Sequence, residues 1–361
     1  MTPRAERSPS AGRPIVPHSR PLLGPEEAEA ATRVLRSGRL APGAEAARLE
    51  RLLARLSGTA DAVGLSSGTM ALTLAIRALA LGPRDTVAIP TYACAALLHA
   101  VRAAGATPVL CDIDPRTLAL DPDDLPRRAP KGLRAAILVH PFGLPARPEP
   151  FRSRGLLVIE DCAQALGASD RGRPVGSRGD VAVFSLAPTK VITCGGPGGA
   201  LASPQAGLVR AARALASHDE TDDGRPRVNG LMGDLHAAIA ATQIEKLPEF
   251  SDRRARIAAL FDEAFVSLPF ERPRPDEGAR PIVYRYIVRL EGADRLLERL
   301  NSRGVMARRP VHRPLHRLIG LDEPFPAADA AHAELLSLPI YPALGDSEIA
   351  RVIEEVVRCR P

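Results

Sequence analysis

Residues 181–201, VAVFSLAPTKVITCGGPGGAL, contain the pattern from which the fold can be deduced. The run begins with apolar and β-branched residues, which predict a buried strand over residues 181–184. The strand leads into a loop that carries Ser185 and Lys190 and ends in a glycine-rich turn at residues 195–199. Polar groups directly after a buried strand are typical of a binding site at the carboxyl edge of an α/β sheet.

Lysine is rare in this chain and occurs only at Lys131, Lys190 and Lys246, whereas arginine supplies most of the basic charge. A lysine amine can form a Schiff base, and an arginine guanidinium cannot, because lysine loses its proton readily when it is desolvated. Lys190 is therefore a candidate catalytic amine. A solvated lysine on a surface loop is the alternative that this segment alone leaves open.

The composition is typical of a soluble globular protein, with 45% hydrophobic and 25% charged residues. The net charge of +6 is spread along the chain and aromatic residues make up only 3%, which argues against a nucleic-acid-binding face. The five cysteines show neither paired nor metal-ligand spacing, so we predict no metal site and a reducing, cytoplasmic setting. Neither a signal peptide nor an apolar run of about 20 residues is evident, which argues against membrane insertion.

The order of patterns predicts two α/β domains after a short extension. Residues 1–18, rich in Pro, Ser and Arg, are predicted to be a flexible N-terminal extension. Residues 19–250 are predicted to form a large cofactor-binding domain, and residues 251–361 a small C-terminal domain. A mostly parallel sheet with helices on both faces is predicted from seven apolar runs, at residues 62–65, 87–89, 108–111, 136–139, 156–159, 181–184 and 199–202.

The patterns also predict the elements that follow this sheet. A long helical region over residues 235–265 is expected to connect the two domains. The C-terminal unit is expected to contain strands at residues 282–290 and 305–308, and helices at residues 294–302 and 347–357.

Two of the predicted strands are followed by residues suited to a phosphorylated aromatic ligand. The sequence Ser66-Ser67-Gly68-Thr69 opens a predicted helix, where hydroxyls and free backbone N–H groups can bind a phosphate. Tyr92 follows the next strand and could stack on a planar ring. Ordinary helix capping for the serines, and a core position for Tyr92, remain the alternatives.

Two acidic residues end another strand in the segment LLVIEDCAQ, residues 156–164. A carboxylate at the end of a buried strand is costly unless it is paired, so Asp161 calls for a cationic partner. The protonated pyridine nitrogen of pyridoxal phosphate is such a partner, and Gln164 could hydrogen-bond the ring hydroxyl. Helix capping by Asp161 is the alternative. Together with Lys190, Tyr92 and the phosphate segment, this order of residues points to a pyridoxal-phosphate enzyme.

Longer stretches of the chain resemble the DegT/StrS-type sugar aminotransferases, which are fold type I aminotransferases. The resemblance runs from about residue 20 to residue 358 and includes SSGTMAL (66–72), VIEDCAQALGA (158–168) and GRPVGSRGDVAVFSLAPTK (172–190). It implies a large domain with a mostly parallel seven-stranded sheet flanked by helices, and a smaller C-terminal α/β domain.

The resemblance implies a role for several residues. Lys190 would form a Schiff base with pyridoxal 5'-phosphate and move a proton between the amino-acid Cα and the cofactor C4′. The ring would be held by three side chains and the phosphate by three further groups: Asp161 at the ring nitrogen, Gln164 at the ring oxygen and Tyr92 on the ring face, with Thr69, the backbone of Met70 and Ser185 at the phosphate. Asn229 would reach the phosphate of a neighbouring subunit, which implies a homodimer with shared active sites.

Three departures from the family pattern lie near these residues. Ala187 stands where the family commonly has His or Tyr, the turn at residues 195–199 carries one extra residue, and Leu231 stands where a basic residue is usual. They leave the cofactor chemistry intact but affect the donor and sugar side of the pocket. Arg225 and Arg227 are candidates to replace the missing cation.

The function implied is transfer of an amino group from an amino acid, L-glutamate being typical, to a keto sugar, typically nucleotide-activated, in polysaccharide or natural-product biosynthesis. A catalytically idle, cofactor-binding regulator is an alternative, because the turn at residues 195–199 is altered. A sugar dehydratase of the same family is a second alternative, which Lys190 disfavours because those enzymes typically carry His at this position.

Overall fold

The structure is a computed structural model that describes residues 14–128, 132–218, 224 and 226–359. The strands found in these residues are β1 (Asp61–Leu65), β2 (Thr86–Pro90), β3 (Thr107–Cys111), β4 (Leu133–Val139), β5 (Leu157–Asp161), β6 (Ser169–Asp170), β7 (Arg173–Pro174), β8 (Val181–Ser185), β9 (Gly199–Ser203), β10 (Ala279–Arg280), β11 (Tyr286–Arg289) and β12 (Leu335–Leu338).

The helices surround these strands. They are α1 (Pro25–Ser37), α2 (Ala44–Ser57), α3 (Gly68–Ala78), α4 (Ala96–Ala103), α5 (Leu125–Arg128), α6 (Glu149–Arg152), α7 (Ala206–Ala216), α8 (Asp234–Glu245), α9 (Leu247–Ala264), α10 (Ala293–Ser302), α11 (Leu315–Ile319), α12 (Pro326–Glu334) and α13 (Asp346–Cys359), with a 3₁₀ turn at Pro141–Gly143. None of the helices in the described parts of the chain is both long and apolar enough to cross a membrane.

Seven strands form the main sheet in the order β1-β9-β8-β5-β4-β2-β3. The pairs from β3 through β8 are parallel, and β9 runs antiparallel to both β8 and β1. The prediction of a mostly parallel seven-stranded sheet is therefore confirmed. Because β5 and β8 are parallel neighbours, with Asp161 paired to Val183, the residues that follow these two strands meet at one edge of the sheet.

Each face of the sheet is covered by its own hydrophobic core. Helix α3 packs against β8 and β9 on one face, where Leu72, Ile89 and Val183 are buried. Helix α2 packs against β1 and β9 on the other face, where Leu49 and Phe184 are buried. Burial on both faces explains why these strands read as continuous apolar runs in the sequence.

A third core belongs to the C-terminal part of the chain. It contains Phe261, Tyr286 and Val352, and the rings of Phe261 and Tyr286 meet edge to face with centroids 5.1 Å apart. Two elements differ here from the sequence-based predictions. Residues 305–308 form only isolated bridges instead of a strand, and β11 pairs instead with β12, which the sequence analysis did not identify as a strand.

The N-terminal segment also differs from its prediction as a flexible extension over residues 1–18. Val16 forms a parallel bridge with Val305 and is only 2% exposed, while His18 is buried against Ser337. Val16 is thus packed into the third core, whereas Ile15 beside it is 47% exposed. Residues 1–13 lie outside the described part of the chain.

The predicted long helix over residues 235–265 is two helices. Helix α8 ends at Glu245 and α9 begins at Leu247, with Pro248 in its first turn. Proline has no N–H to donate and clashes with the preceding turn, so it ends one helix and suits the start of the next.

Candidate active site

The carboxyl ends of β5 and β8 and the first turn of α3 enclose a cavity of about 230 Å³. Five of the residues predicted from sequence line it together, namely Thr69, Asp161, Gln164, Ser185 and Lys190. Ala187, one of the departures from the family pattern, lines it as well. The structure thus brings together most of the predicted site, while Met70, Tyr92 and Asn229 lie outside the lining of this cavity.

Asp161 is the acidic group of the cavity and ends β5. Its side chain is only 6% exposed, and Oδ1 accepts one hydrogen bond from the backbone N–H of Ala163 at 3.0 Å. Burial raises the pKa of Asp161, although the Ala163 N–H, the charge of Lys190 and the His140 ring oppose the shift. Within the described residues Asp161 forms no ion pair, so the carboxylate lacks the cationic partner that its burial requires.

Gln164 presents a free donor to the same cavity. Its Oε1 accepts a hydrogen bond from the backbone N–H of Phe142 at 2.8 Å, which assigns the amide orientation. Within the described residues no hydrogen bond from Nε2 is found, so this group remains available to donate to an oxygen of a ligand in the cavity that Gln164 lines.

The first turn of α3 lies against the end of β8. Ser67 is the N-cap, and its Oγ accepts a hydrogen bond from the backbone N–H of Met70 at 3.1 Å. Thr69, in this first turn, and Ser185, at the end of β8, both line the cavity. A Cβ atom on Gly199 would lie 2.4 Å from the carbonyl carbon of Ser67, so glycine is required for β9 to start this close to the helix.

Lys190 stands at the edge of the cavity in the loop after β8. Its backbone N–H donates to the carbonyl of Ala187 at 3.0 Å, which forms a tight turn. Its Nζ lies 5.7 Å from the centroid of the Tyr284 ring. The amine therefore lies between an aromatic face and the cavity that contains Asp161.

A second cavity of about 330 Å³ adjoins the first, and Cys94, Asp161 and Gln164 line both. Tyr92 lines only the second cavity, is 4% exposed, and donates a hydrogen bond from its hydroxyl to the carbonyl of Ala331 at 3.4 Å. Burial raises its pKa. Tyr92 is part of the core and lines only the second cavity, whereas Cys94, two residues further along, lines both cavities. Stacking of Tyr92 on a cofactor ring stays a prediction.

A buried pair of side chains that no sequence pattern indicates, His140 and Glu160, lies next to Asp161. The Nδ1 atom of His140 accepts from the backbone N–H of Ala146 at 2.9 Å, so Nε2 carries the hydrogen that it donates to Glu160 at 3.1 Å. His140, Glu160 and Cys162 lie close enough to hold a metal ion. The histidine nitrogens are both engaged, however, so this cluster has no free imidazole lone pair for a metal.

The remaining predicted residues lie outside the two cavities or outside the described part of the chain. Asn229 is exposed, and Leu231 forms an isolated bridge with Leu65. Arg227 donates a hydrogen bond to the carbonyl of Ala214, and Arg225 lies outside the described residues.

Comparison with known proteins identifies the family. The profile of the DegT/DnrJ/EryC1/StrS aminotransferase family matches residues 21–357. The chain belongs to this family. It is therefore an aminotransferase, which confirms the enzyme class that the sequence predicted.

Two characterised relatives are similar over most of their length. The UDP-N-acetyl-3-dehydro-alpha-D-glucosamine 3-aminotransferase of Acidithiobacillus ferrooxidans is 33% identical over 88% of this chain and 89% of its own. The dTDP-4-dehydro-2,3,6-trideoxy-D-glucose 4-aminotransferase of Saccharopolyspora spinosa is 32% identical, with 93% and 94% covered.

Solved structures confirm the fold of this family member. The S. venezuelae DesV, solved in complex with a ketimine intermediate, is 32% identical with a TM-score of 0.88, covering 95% of this chain and 98% of its own. A putative sugar aminotransferase of Streptococcus pneumoniae, Spr1654, is 25% identical in both its PLP form and its PMP form, each with a TM-score of 0.89 and 96% of this chain covered. The aligned region spans 97–98% of the chain in each of these structures, so the family fold extends over nearly the whole protein.

Proposed function

We propose that this aminotransferase uses pyridoxal phosphate to move an amino group from L-glutamate to a keto sugar that is attached to a nucleotide. The observation that carries the proposal is Asp161, a buried carboxylate without a cationic partner in the described chain, at the wall of a cavity that Lys190 also lines. Both curated relatives act on nucleotide-linked keto sugars, and the pneumococcal relative has been solved in PLP and PMP forms.

The cavity fits the cofactor group by group. The cofactor supplies an electron sink once its ring nitrogen is protonated. Asp161 holds the proton on that nitrogen, because a buried carboxylate and a pyridinium stabilise each other's charge. The free Nε2 of Gln164 donates to the ring oxygen. Lys190 would hold the cofactor through its Nζ and, as a free amine, would move a proton between the donor Cα and the cofactor carbon.

The phosphate of the cofactor is held at the first turn of α3. Thr69 and Ser185 contribute their hydroxyls, and the helix N-terminus adds the favourable end of its dipole. The Met70 N–H lies in the same turn, although it already donates to Ser67 Oγ. Support for this placement comes from Gly199, which lets β9 approach the turn closely.

The face of the cofactor ring is the one place where the geometry favours a different residue. Tyr92 points into the core, whereas Cys94 from the same loop is exposed and lines both cavities. Cys94 therefore contacts the ring, and Tyr92 supports the loop through its contact with Ala331.

A homodimer with shared active sites fits the position of Asn229, which is exposed and lies outside the cavity of its own chain. In the dimer Asn229 reaches the phosphate in the partner's cavity. Leu23, Leu35 and Leu40 are between 48% and 57% exposed in the N-terminal region, and an apolar surface of this kind suits a subunit contact. The dimer acts in the cytoplasm, where its five cysteines remain thiols.

The chain divides into a large cofactor-binding domain over residues 19–250 and a small domain over residues 251–361. The third core supports this division, because apart from Val16 its buried residues run from Ile257 to Cys359. The first core limits the independence of the two domains, since Leu315 and Phe325 also pack into it.

The absorption spectrum of the purified protein with added pyridoxal phosphate tests the proposed function. We expect a violet-region band that L-glutamate bleaches in the wild type and that never forms as a stable species in Lys190→Ala. Lys246→Ala is the matched control, because Lys246 pairs with Glu26 and Glu27 far from the cavity lining. A band that ignores glutamate would indicate another donor or an idle regulator, and no band at all would overturn the cofactor site.

The acceptor is then found with the amine form of the protein. Nucleotide-linked 3-keto and 4-keto sugars are added separately, and return of the violet band reports transfer of the amino group. A keto sugar without the nucleotide is the control, and equal rates with and without the nucleotide would contradict the proposed substrate class.

A further inference from the structure

Lys190 makes a contact that its reaction does not require. Its Nζ lies 5.7 Å from the centroid of the Tyr284 ring, within the range of a cation–π interaction. Tyr284 is 4% exposed and belongs to the core on the α2 face of the main sheet. The tyrosine lies outside the lining of the 230 Å³ cavity, so the contact draws the amine towards the cavity edge.

Two arginines hydrogen-bond to Tyr284, one at its hydroxyl and one at its backbone carbonyl. Arg285 donates from Nη2 to the Tyr284 hydroxyl at 3.1 Å, and Arg254 donates from Nη1 to the Tyr284 carbonyl at 3.2 Å. Burial alone would raise the pKa of Tyr284, but the charges of Lys190 and Arg285 outweigh burial and lower it. Within the described residues no carboxylate pairs with Arg254 or Arg285. The Arg285 guanidinium also lies over the Tyr284 ring, 4.6 Å from its centroid, so Lys190 shares this aromatic ring with a second cation.

Arg285 is itself fixed from behind. Its Nη1 donates to Nδ1 of His18 at 3.1 Å, while the other ring nitrogen of His18 hydrogen-bonds to Ser337. Burial and the charge of Arg285 lower the pKa of His18 to about 3, so His18 is neutral and can accept this bond. These contacts hold the ring of Tyr284 in one position when the Lys190 side chain moves.

We propose that Tyr284 is a positioning residue for Lys190, whose ring face holds the ε-ammonium at the cavity edge whenever the amine is not bound to the cofactor. The role of this contact in catalysis rests on the proposed function, whereas the contact itself does not. Once the released amine has taken up the Cα proton of the donor, the ring stabilises the resulting ammonium at the cavity edge. The contact itself exists without cofactor and can be tested in the apoprotein.

Reductive methylation of the apoprotein, read out by peptide mass spectrometry, measures the contact. The chain has only three lysines, so Lys131 and Lys246 serve as internal references for Lys190 in each sample. In Tyr284→Met the ring is lost, and we expect Lys190 to react about fivefold faster, the ratio that corresponds to a cation–π interaction of about 1 kcal/mol. Tyr284→Phe keeps the ring, and Lys190 should react within twofold of the wild-type rate.

Tyr286→Phe is the matched control, since Tyr286 is buried two residues further along the chain, at the start of β11, and its hydroxyl donates to Asp262. An unchanged Lys190 rate in a folded Tyr284→Met variant would overturn the proposal, as would an equal acceleration in both Tyr284 variants. If Tyr284→Met does not fold, a crystal structure of the wild-type apoprotein decides, because Nζ must then lie within about 6 Å of the ring centroid. Both readouts are independent of transamination, so failure of the proposed function would not be mistaken for failure of this contact.

Discussion

Glu160 and Asp161 are neighbours at the end of β5 and both are buried, but their carboxylates differ in how many hydrogen bonds they accept. The Glu160 carboxylate accepts from the His140 ring and from three backbone N–H groups in residues 176–179. From the described residues the Asp161 carboxylate accepts a single hydrogen bond, donated by the Ala163 backbone N–H. A carboxylate whose bonds are complete is part of the scaffold, and one left incomplete at a cavity is prepared for a ligand.

The pKa values of the two residues move in opposite directions. Burial alone would raise the pKa of Glu160, but His140 and the backbone N–H groups outweigh it and lower the value to about 2. Glu160 therefore stabilises the fold above its unfolded pKa of about 4.3, and this contribution is lost as pH falls towards about 2. Burial raises the pKa of Asp161, so its charge destabilises the apoprotein above the folded pKa, and this cost disappears as pH falls through that value.

The largest effect is expected from Asp161→Asn, which removes the charge and keeps the shape. We expect the rate of bleaching by L-glutamate to fall by about 10³-fold, because the ring nitrogen loses the group that keeps it protonated. The apoprotein should be as stable as the wild type or more stable, by about 1 kcal/mol, since an unpaired buried charge is gone. Single-turnover spectroscopy and thermal unfolding of the apoprotein measure the two quantities. A wild-type bleaching rate in Asp161→Asn would contradict the assignment of Asp161 to the cofactor.

Glu160→Gln should give the reverse pattern. An amide nitrogen in this position faces backbone N–H donors, so we expect the free energy of unfolding to fall by about 2–4 kcal/mol. The folded fraction should keep its bleaching rate within about threefold. Glu149→Gln is the matched control, because the Glu149 side chain is 58% exposed although it also contacts Arg178. Chemical denaturation at neutral pH measures the change in the free energy of unfolding. A stable but inactive Glu160→Gln would contradict the assignment of a structural role to Glu160.

The same pair shows what the sequence can predict. Strand ends were predictable because both faces of the main sheet are buried, so apolar runs mark the strands and polar residues mark their ends. This placed Asp161 and Lys190 at one edge without any structure. The partners of Glu160 lie 16–20 residues away in the chain, and only the fold brings them to its carboxylate.

Side-chain direction within loops was the other limit. Tyr92 and Cys94 are two residues apart after β2, and the path of the loop decides which of them faces the cavity. The burial of Val16 against Val305 likewise depends on a contact between distant parts of the chain. A break at Pro248 could have been read from the sequence, since proline favours the first turn of a helix over its interior.

Gln164 lies between the two kinds of residue, because one end of its amide serves the scaffold and the other faces the cavity. Its Oε1 binds the N–H of Phe142, a bulky residue held at a positive φ of 56° in the turn after β4. Gln164→Glu keeps this acceptor and replaces the donor with a charged oxygen near Asp161. We expect cofactor affinity to fall about tenfold and the free energy of unfolding to fall by less than about 1 kcal/mol, because the half-buried side chain lets solvent screen the added charge.

Gln164→Met loses the acceptor as well. Phe142 then has an unsatisfied N–H in a strained conformation, and we expect an additional loss of about 1–2 kcal/mol in stability of the apoprotein. Titration with pyridoxal phosphate and chemical denaturation measure the two effects separately. If both variants lose affinity and stability in the same proportion, Gln164 has a single structural role. If Gln164→Met is clearly the less stable variant while both bind the cofactor weakly, the two ends of the Gln164 amide have separate roles. The oxygen then stabilises the fold, as Glu160 does, and the nitrogen binds the cofactor, as Asp161 does.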